Sequence, residues 1–165
     1  MTDHATQDLT AWQKPQVIQE SLQAKRIAVV GLSSNELRAS NFVGYYLLRN
    51  GYEVTPVNPR EERIFDLKCY ATLEEIPHPI DTVDVFRDPG AVPEIAEQAV
   101  AIEAKYLWLQ FGVISPQGIE IAERGGLQCI VDKCIKIEHA RYKGRMHWLG
   151  FNTDQVSARR SSTTT

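Results

Sequence analysis

Five short stretches each follow an apolar run and carry residues able to bind or react: Gly31-Leu-Ser-Ser-Asn35, Asn58-Pro-Arg60, Phe86-Arg-Asp-Pro89, Gln110-Phe-Gly-Val113 and Asp132-Lys-Cys134. In the first, Gly31 permits close backbone approach. Ser33 and Ser34, with Ser40 and Asn41 further on, offer hydroxyl, amide and backbone donors ahead of a helix start, which is the chemistry of a phosphate site. The same residues also describe a plain strand-to-helix turn. Arg60 suits a phosphate on an adenosine ribose, and equally a solvated arginine, because Glu61, Glu62 and Arg63 make this turn charged in any case. Phe86 and Arg87 bring an aromatic face and a cation, although Phe86 alone reads more readily as core.

Other chemistry is weakly supported. The sequence contains no G-x-G-x-x-G and no G-x-x-x-x-G-K-[ST], so it carries neither the dinucleotide fingerprint nor a P-loop. Where NAD enzymes place an acid for the ribose hydroxyls, this chain has Asn58-Pro59-Arg60. Cys134 stands beside Lys133, and a nearby cation lowers a thiol pKa; the reading taken is a small buried, inert cysteine. His4, His78, His139 and His147 are scattered, and Cys129 and Cys134 have no evident metal partner, so no metal site is expected. Gln110, Gly112 and Val113 suit a wall against an adenine or a pantetheine, or an ordinary turn before Ser115.

Positioning these stretches requires strands and helices in alternation. Arg26–Val30 is a continuous apolar run suited to a strand covered on both faces. Tyr52–Val57 is the second strand, and because proline cannot donate to a ladder, Pro56 leaves the strand's end unpaired or at a sheet margin. Thr82–Phe86, Tyr106–Gln110 and Leu127–Val131 complete a set of five. The spacing predicts helices over Gln13–Ala24, after Ser40-Asn41 as N-cap, and through Val92, Ile95, Ala96 and Ala99, which fall on one face. A further helix runs from Ser115-Pro116 to Gly125-Gly126, and Thr72–Glu75 fits a capping box. The expected fold is a doubly wound five-stranded parallel α/β sheet, Rossmann-like, ordered 3-2-1-4-5.

The chain has 165 residues, of which 43% are hydrophobic and 24% charged, the profile of one globular domain. We expect a domain over 13–150, an N-terminal extension over 1–12 and a polar, disordered tail over 151–165. A net charge of −3 disfavours nucleic acid as a partner. No run approaches the roughly 20 apolar residues of a membrane span. The three cysteines lack framework spacing, so a cytoplasmic protein is expected.

Several motifs together carry a resemblance: Ile27-Ala-Val-Val-Gly-Leu-Ser33, Val57-Asn-Pro-Arg60, Val83-Asp-Val-Phe-Arg87, Val92-Pro-Glu-Ile95, Leu107-Trp-Leu-Gln-Phe-Gly-Val113 and Val131-Asp-Lys-Cys-Ile-Lys-Ile-Glu-His139. In this order and spacing the chain resembles the small stand-alone CoA-binding proteins of bacteria and archaea. These are similar to the N-terminal domain of the succinyl-CoA synthetase α-subunit. The likeness covers about Val17 to Arg141.

The resemblance implies coenzyme A or an acyl-CoA as ligand, with its phosphates near Gly31, Ser33, Ser34, Ser40 and Asn41. It implies that Asn58, Pro59 and Arg60 flank the adenosine end, with Arg60 toward the 3′-phosphate, while Phe86, Arg87, Gln110, Gly112 and Val113 line the remaining cleft. The synthetase reaction is not expected to carry over, because it needs a second domain with a phosphorylated histidine and a nucleotide-grasping subunit. The reading is a non-catalytic carrier, sensor or partner protein. An NADP-linked oxidoreductase on the same fold is the alternative, supported by Arg60. A mixed disulfide between Cys134 and the CoA thiol ranks third.

Overall fold

The computed structural model describes residues 8–149. The expected tail over 151–165 lies outside the described residues, as does the extension up to residue 7. Within it, α1 (Pro15–Gln23) starts on a proline at a position whose N–H would have no helical acceptor, and buries Ile18 and Leu22. The five strands of the main sheet are β1 (Arg26–Val30), β2 (Glu53–Val57), β5 (Thr82–Val85), β6 (Tyr106–Leu109) and β7 (Gln128–Val131). Between them lie α2 (Ala39–Arg49), the hairpin β3 (Arg63–Ile64) and β4 (Leu67–Lys68), α3 (Val92–Ala101) and α4 (Pro116–Arg124). The last described helix is α5 (Ile135–Leu149).

All pairings in the main sheet are parallel, and the order is β2-β1-β5-β6-β7. This corrects the expected 3-2-1-4-5: the third main strand pairs with β1, leaving β2 at the edge. Pro56 supplies the physical reason. Its carbonyl accepts from the Tyr70 N–H at 3.0 Å on the outer side of β2. A residue's N–H and C=O point the same way across a ladder, so the N–H that proline lacks also faces outward. A full strand paired there would lose a bond, and only an isolated bridge between Val57 and Tyr70 forms.

The alternating pleat divides the core into two layers. Ala28, Val30, Val83, Val85, Leu107, Leu109 and Val131 face α3 and α4. Ile27, Val29, Trp108 and Ile130 face α1, α2 and α5. Burial on both sides explains why the strands read as unbroken apolar runs. The predicted face of α3 is the buried one. Ser115 caps α4 as expected, its hydroxyl accepting from the Gly118 N–H at 3.1 Å.

Two local expectations fail. Ser40 and Asn41 do not cap α2; that position belongs to Arg38, and both residues lie buried inside the first turn. The Thr72 capping box does not form. A 3-10 turn spans Leu73–Glu75 without a side-chain cap, and the Glu75 carboxylate accepts from the Ala71 N–H at 3.2 Å instead. In both cases another partner takes the polar group that the expected motif would have used.

Candidate functional site

The carboxyl ends of β1, β2 and β5 meet where the chain reverses its direction of winding, between β1 and β5. Gly31 stands at that point with φ +87°, its N–H reaching the Val57 carbonyl at 2.8 Å. A Cβ there would lie 2.4 Å from the Phe86 carbonyl oxygen, so only glycine lets the two strand ends approach this closely.

The loop from Leu32 to Arg38 is held by its own polar groups. Ser33 N–H donates to Ser40 Oγ at 3.1 Å, and Asn41 Nδ2 donates to the Ser33 carbonyl at 2.9 Å. Asn35 N–H donates to Ser33 Oγ at 3.0 Å. Ser34 N–H donates to the Glu61 carboxylate at 3.0 Å. Asn58 joins the two loops, giving Nδ2 to the Leu32 carbonyl at 3.0 Å and accepting the Arg60 N–H at 2.9 Å. Several donors expected to meet a phosphate therefore build the loop. Among the described residues, the N–H groups of Ala39 and Ser40 at the start of α2 donate to no loop carbonyl and remain available to an anion.

Two compartments open here and share a wall of Ala39, Phe86, Arg87 and Asp88. The first, about 600 Å³, is polar: Gly31, Ser33, Ser40, Asn58, Pro59, Arg60 and Arg38 complete it. Among the described residues none of the guanidinium groups of Arg38, Arg60 and Arg87 is ion-paired. The second, about 400 Å³, is mostly apolar and adds Val43, Gln110, Phe111, Val113 and Cys134. Phe86 is the ridge between them, half-buried against the α2–α5 core.

Ten of the thirteen residues singled out from the sequence line one or other compartment. Ser34 and Asn41 instead line a separate groove beside Phe42, Tyr45 and Phe65. Gly112 lines neither; its N–H donates to Asp132 Oδ1 at 2.8 Å. Arg38 was missed, and Asp88 and Phe111 were not singled out within the stretches that hold them, because a loop has no period to say which side chains turn inward. The position of Cys134 corrects its reading as buried: it is half-buried and lines the apolar compartment. Cys129 is buried, and burial pushes its thiol up to about 12. Lys133, beside Cys134, points its ammonium at Glu138 Oε1, 3.8 Å away.

Beneath the apolar compartment lies Asp84, with no exposed surface. Gln110 Nε2 donates to its Oδ1, while Oδ2 has no partner among the described residues. Burial raises this carboxyl to about 7, and the Gln110 hydrogen bond opposes the shift. His139 lies elsewhere, its Nδ1 2.8 Å from the Tyr46 hydroxyl, and burial with nearby Lys143 and Lys25 holds it down at about 4. Among the described residues no group of three or more His, Cys, Asp or Glu is placed to hold a metal ion. No described helix is long and apolar enough to cross a membrane.

Residues 25–140 match the model of a family described as the CoA binding domain. The chain belongs to the CoA binding domain family. The Bacillus subtilis (strain 168) protein YneT is 40% identical to this CoA binding domain over 124 residues, covering 74% of the chain and 92% of YneT. The structure of a hypothetical protein from Pyrococcus horikoshii OT3 superposes with a TM-score of 0.76 at 37% identity, covering 78% of this chain and 91% of that one. The ADP-forming acetate–CoA ligase of Methanocaldococcus jannaschii is 26% identical over 125 residues, and the match spans 17% of its length. The relation to that ligase is therefore one of a single domain.

Proposed function

We propose that this CoA binding domain holds coenzyme A or an acyl-CoA as a non-catalytic carrier, sensor or partner protein. The carrying observation is the two-part cleft. A polar compartment with Arg38, Arg60 and Arg87, none of them ion-paired among the described residues, adjoins an apolar one across Phe86. Coenzyme A has a matching division, an anionic nucleotide joined to a slender, uncharged pantetheine.

In this reading the pyrophosphate lies over Gly31, Ser33 and the free N–H groups of Ala39 and Ser40, with Arg38 and Arg87 balancing its charge. Asn58, Pro59 and Arg60 border the adenosine, and Arg60 takes the 3′-phosphate. Pantetheine runs past Phe86 toward Gln110, Val113 and Cys134. Among the described residues, the ionisable groups lining the cleft are Arg38, Arg60, Arg87, Asp88 and Cys134.

A thermal-shift titration tests this. Ligand that binds only the native state adds about 2.7 kcal/mol of stability at a hundredfold excess over Kd. Coenzyme A and acyl-CoA are expected to raise Tm. An unchanged Tm at millimolar coenzyme A, with a rise in NADPH, would reverse the assignment in favour of the NADP reading that Arg60 also permits.

A further inference from the structure

A glutamine amide has a donor end and an acceptor end, and a partner that takes one leaves the other to face elsewhere. Gln110 is 4% exposed, lines the apolar compartment, and donates to Asp84 in the neighbouring strand, β5. We propose that Asp84 is a positioning residue whose proton decides which end of the Gln110 amide is offered to the ligand, and so how the cleft meets the amides of pantetheine. The inference rests on the coenzyme A reading.

The geometry leaves Asp84 few alternatives. It stands on β5 between Val29 of β1 and Trp108 of β6, neither of which carries charge. Its Oδ2 reaches no donor. A buried carboxylate with one unsatisfied oxygen is costly, and burial raises the group to about 7. As a carboxylate, Asp84 can only accept, so it holds Gln110 Nε2 inward and turns Oε1 to the compartment. As an acid, its O–H donates to Oε1 and the NH2 turns outward. The proton is exchanged between solvent and Asp84 Oδ1, the oxygen that faces Gln110, and no covalent bond to ligand forms.

Among the described residues, the ionisable groups around this compartment are Arg87 and Asp88 beyond β5 and Cys134 ahead of α5. From α2 come only Ala39 and Val43. At the start of α5, Glu138 is already engaged by Lys133 and by Arg141 at 3.0 Å. None of these groups contributes to the Asp84 shift, which comes from burial and Gln110 alone.

The test follows the Gln110 side-chain amide by nitrogen-15 NMR, and coenzyme A affinity by calorimetry, from pH 5.5 to 8.5. In the wild type the amide signal is expected to shift with an inflection near 7 and Kd to change about three- to tenfold, the worth of one hydrogen bond. In Asp84→Asn, which has no proton to lose, both are expected to be flat once the ligand's own phosphate titration, common to both proteins, is subtracted. If Asp84→Asn fails to fold, Gln110→Leu is expected to lose the same pH dependence of Kd. Identical pH profiles of Kd in wild type and variant, with binding intact, overturn this inference and leave the coenzyme A reading standing. No coenzyme A binding by the wild type at any pH overturns both.

Discussion

Replacing Gly31 with alanine puts a methyl group where the chain leaving β1 meets the backbone leaving its neighbour β5. Its Cβ would lie 2.4 Å from the Phe86 carbonyl and 3.0 Å from Arg87 Cδ, at a backbone φ of +87°. The arginine can move, but the carbonyl belongs to the backbone that follows β5. Left-handed geometry costs an alanine about 1–2 kcal/mol, and forcing a methyl into a packed strand end adds roughly 1–3 kcal/mol. Gly51 is the internal control: its φ is +86°, and a methyl group added there would meet nothing within 4 Å. Gly51→Ala should therefore lose only the conformational part. Equilibrium urea unfolding, read as ΔG at unchanged m, should show Gly31→Ala about 1–3 kcal/mol worse than Gly51→Ala. Equal losses, within about 0.5 kcal/mol, would refute the close approach as the reason for glycine at position 31.

Opposed titrations should shape the pH dependence of stability. Asp84, raised from 3.8 to about 7, favours folding fully below 3.8 and loses that contribution as pH rises through about 7. His139, lowered from 6.5 to about 4, favours folding above 6.5 and loses its contribution as pH falls through about 4. Relative to wild type, urea unfolding between pH 4 and 7 should thus find Asp84→Asn weakening steadily on acidification and His139→Gln strengthening; matching slopes in the two variants would contradict both shifts. Ser40→Ala removes the acceptor for the Ser33 N–H and should cost about 1–2 kcal/mol, with weaker coenzyme A binding by calorimetry. Iodoacetamide should modify half-buried Cys134 and spare buried Cys129, and saturating coenzyme A should slow the reaction at Cys134 several-fold by mass spectrometry. An unprotected Cys134 would take the ligand out of the apolar compartment.

Much of the fold was legible because its signals are local. Continuous apolar runs mark doubly covered strands, Ser115-Pro116 marks the start of α4, and the spacing of Val92, Ile95, Ala96 and Ala99 marks a helix face. Pro56 pointed to an unpaired end or a sheet margin for the second strand, and the expected strand order did not use that signal. The β3–β4 hairpin went unseen because its turn residues, Phe65 and Asp66, take φ of 55° and 59° without the usual glycine or asparagine signal. No helix was expected after the fifth strand, although α5 covers the sheet face that carries Trp108 and its neighbour across the ladder, Asp84.

By itself the sequence determined which segments become strands and helices, and that polar residues gather where strands end, since hydrophobic period and turn chemistry are properties of neighbours along the chain. Tertiary structure decided the rest: that β5 sits beside β1, that Glu61 rather than a ligand holds the Ser34 amide, and that Arg38 and Cys134 face the cleft while Ser34 and Asn41 do not. These outcomes depend on contacts between residues far apart in sequence, and an irregular loop has no repeat from which the direction of a side chain can be read.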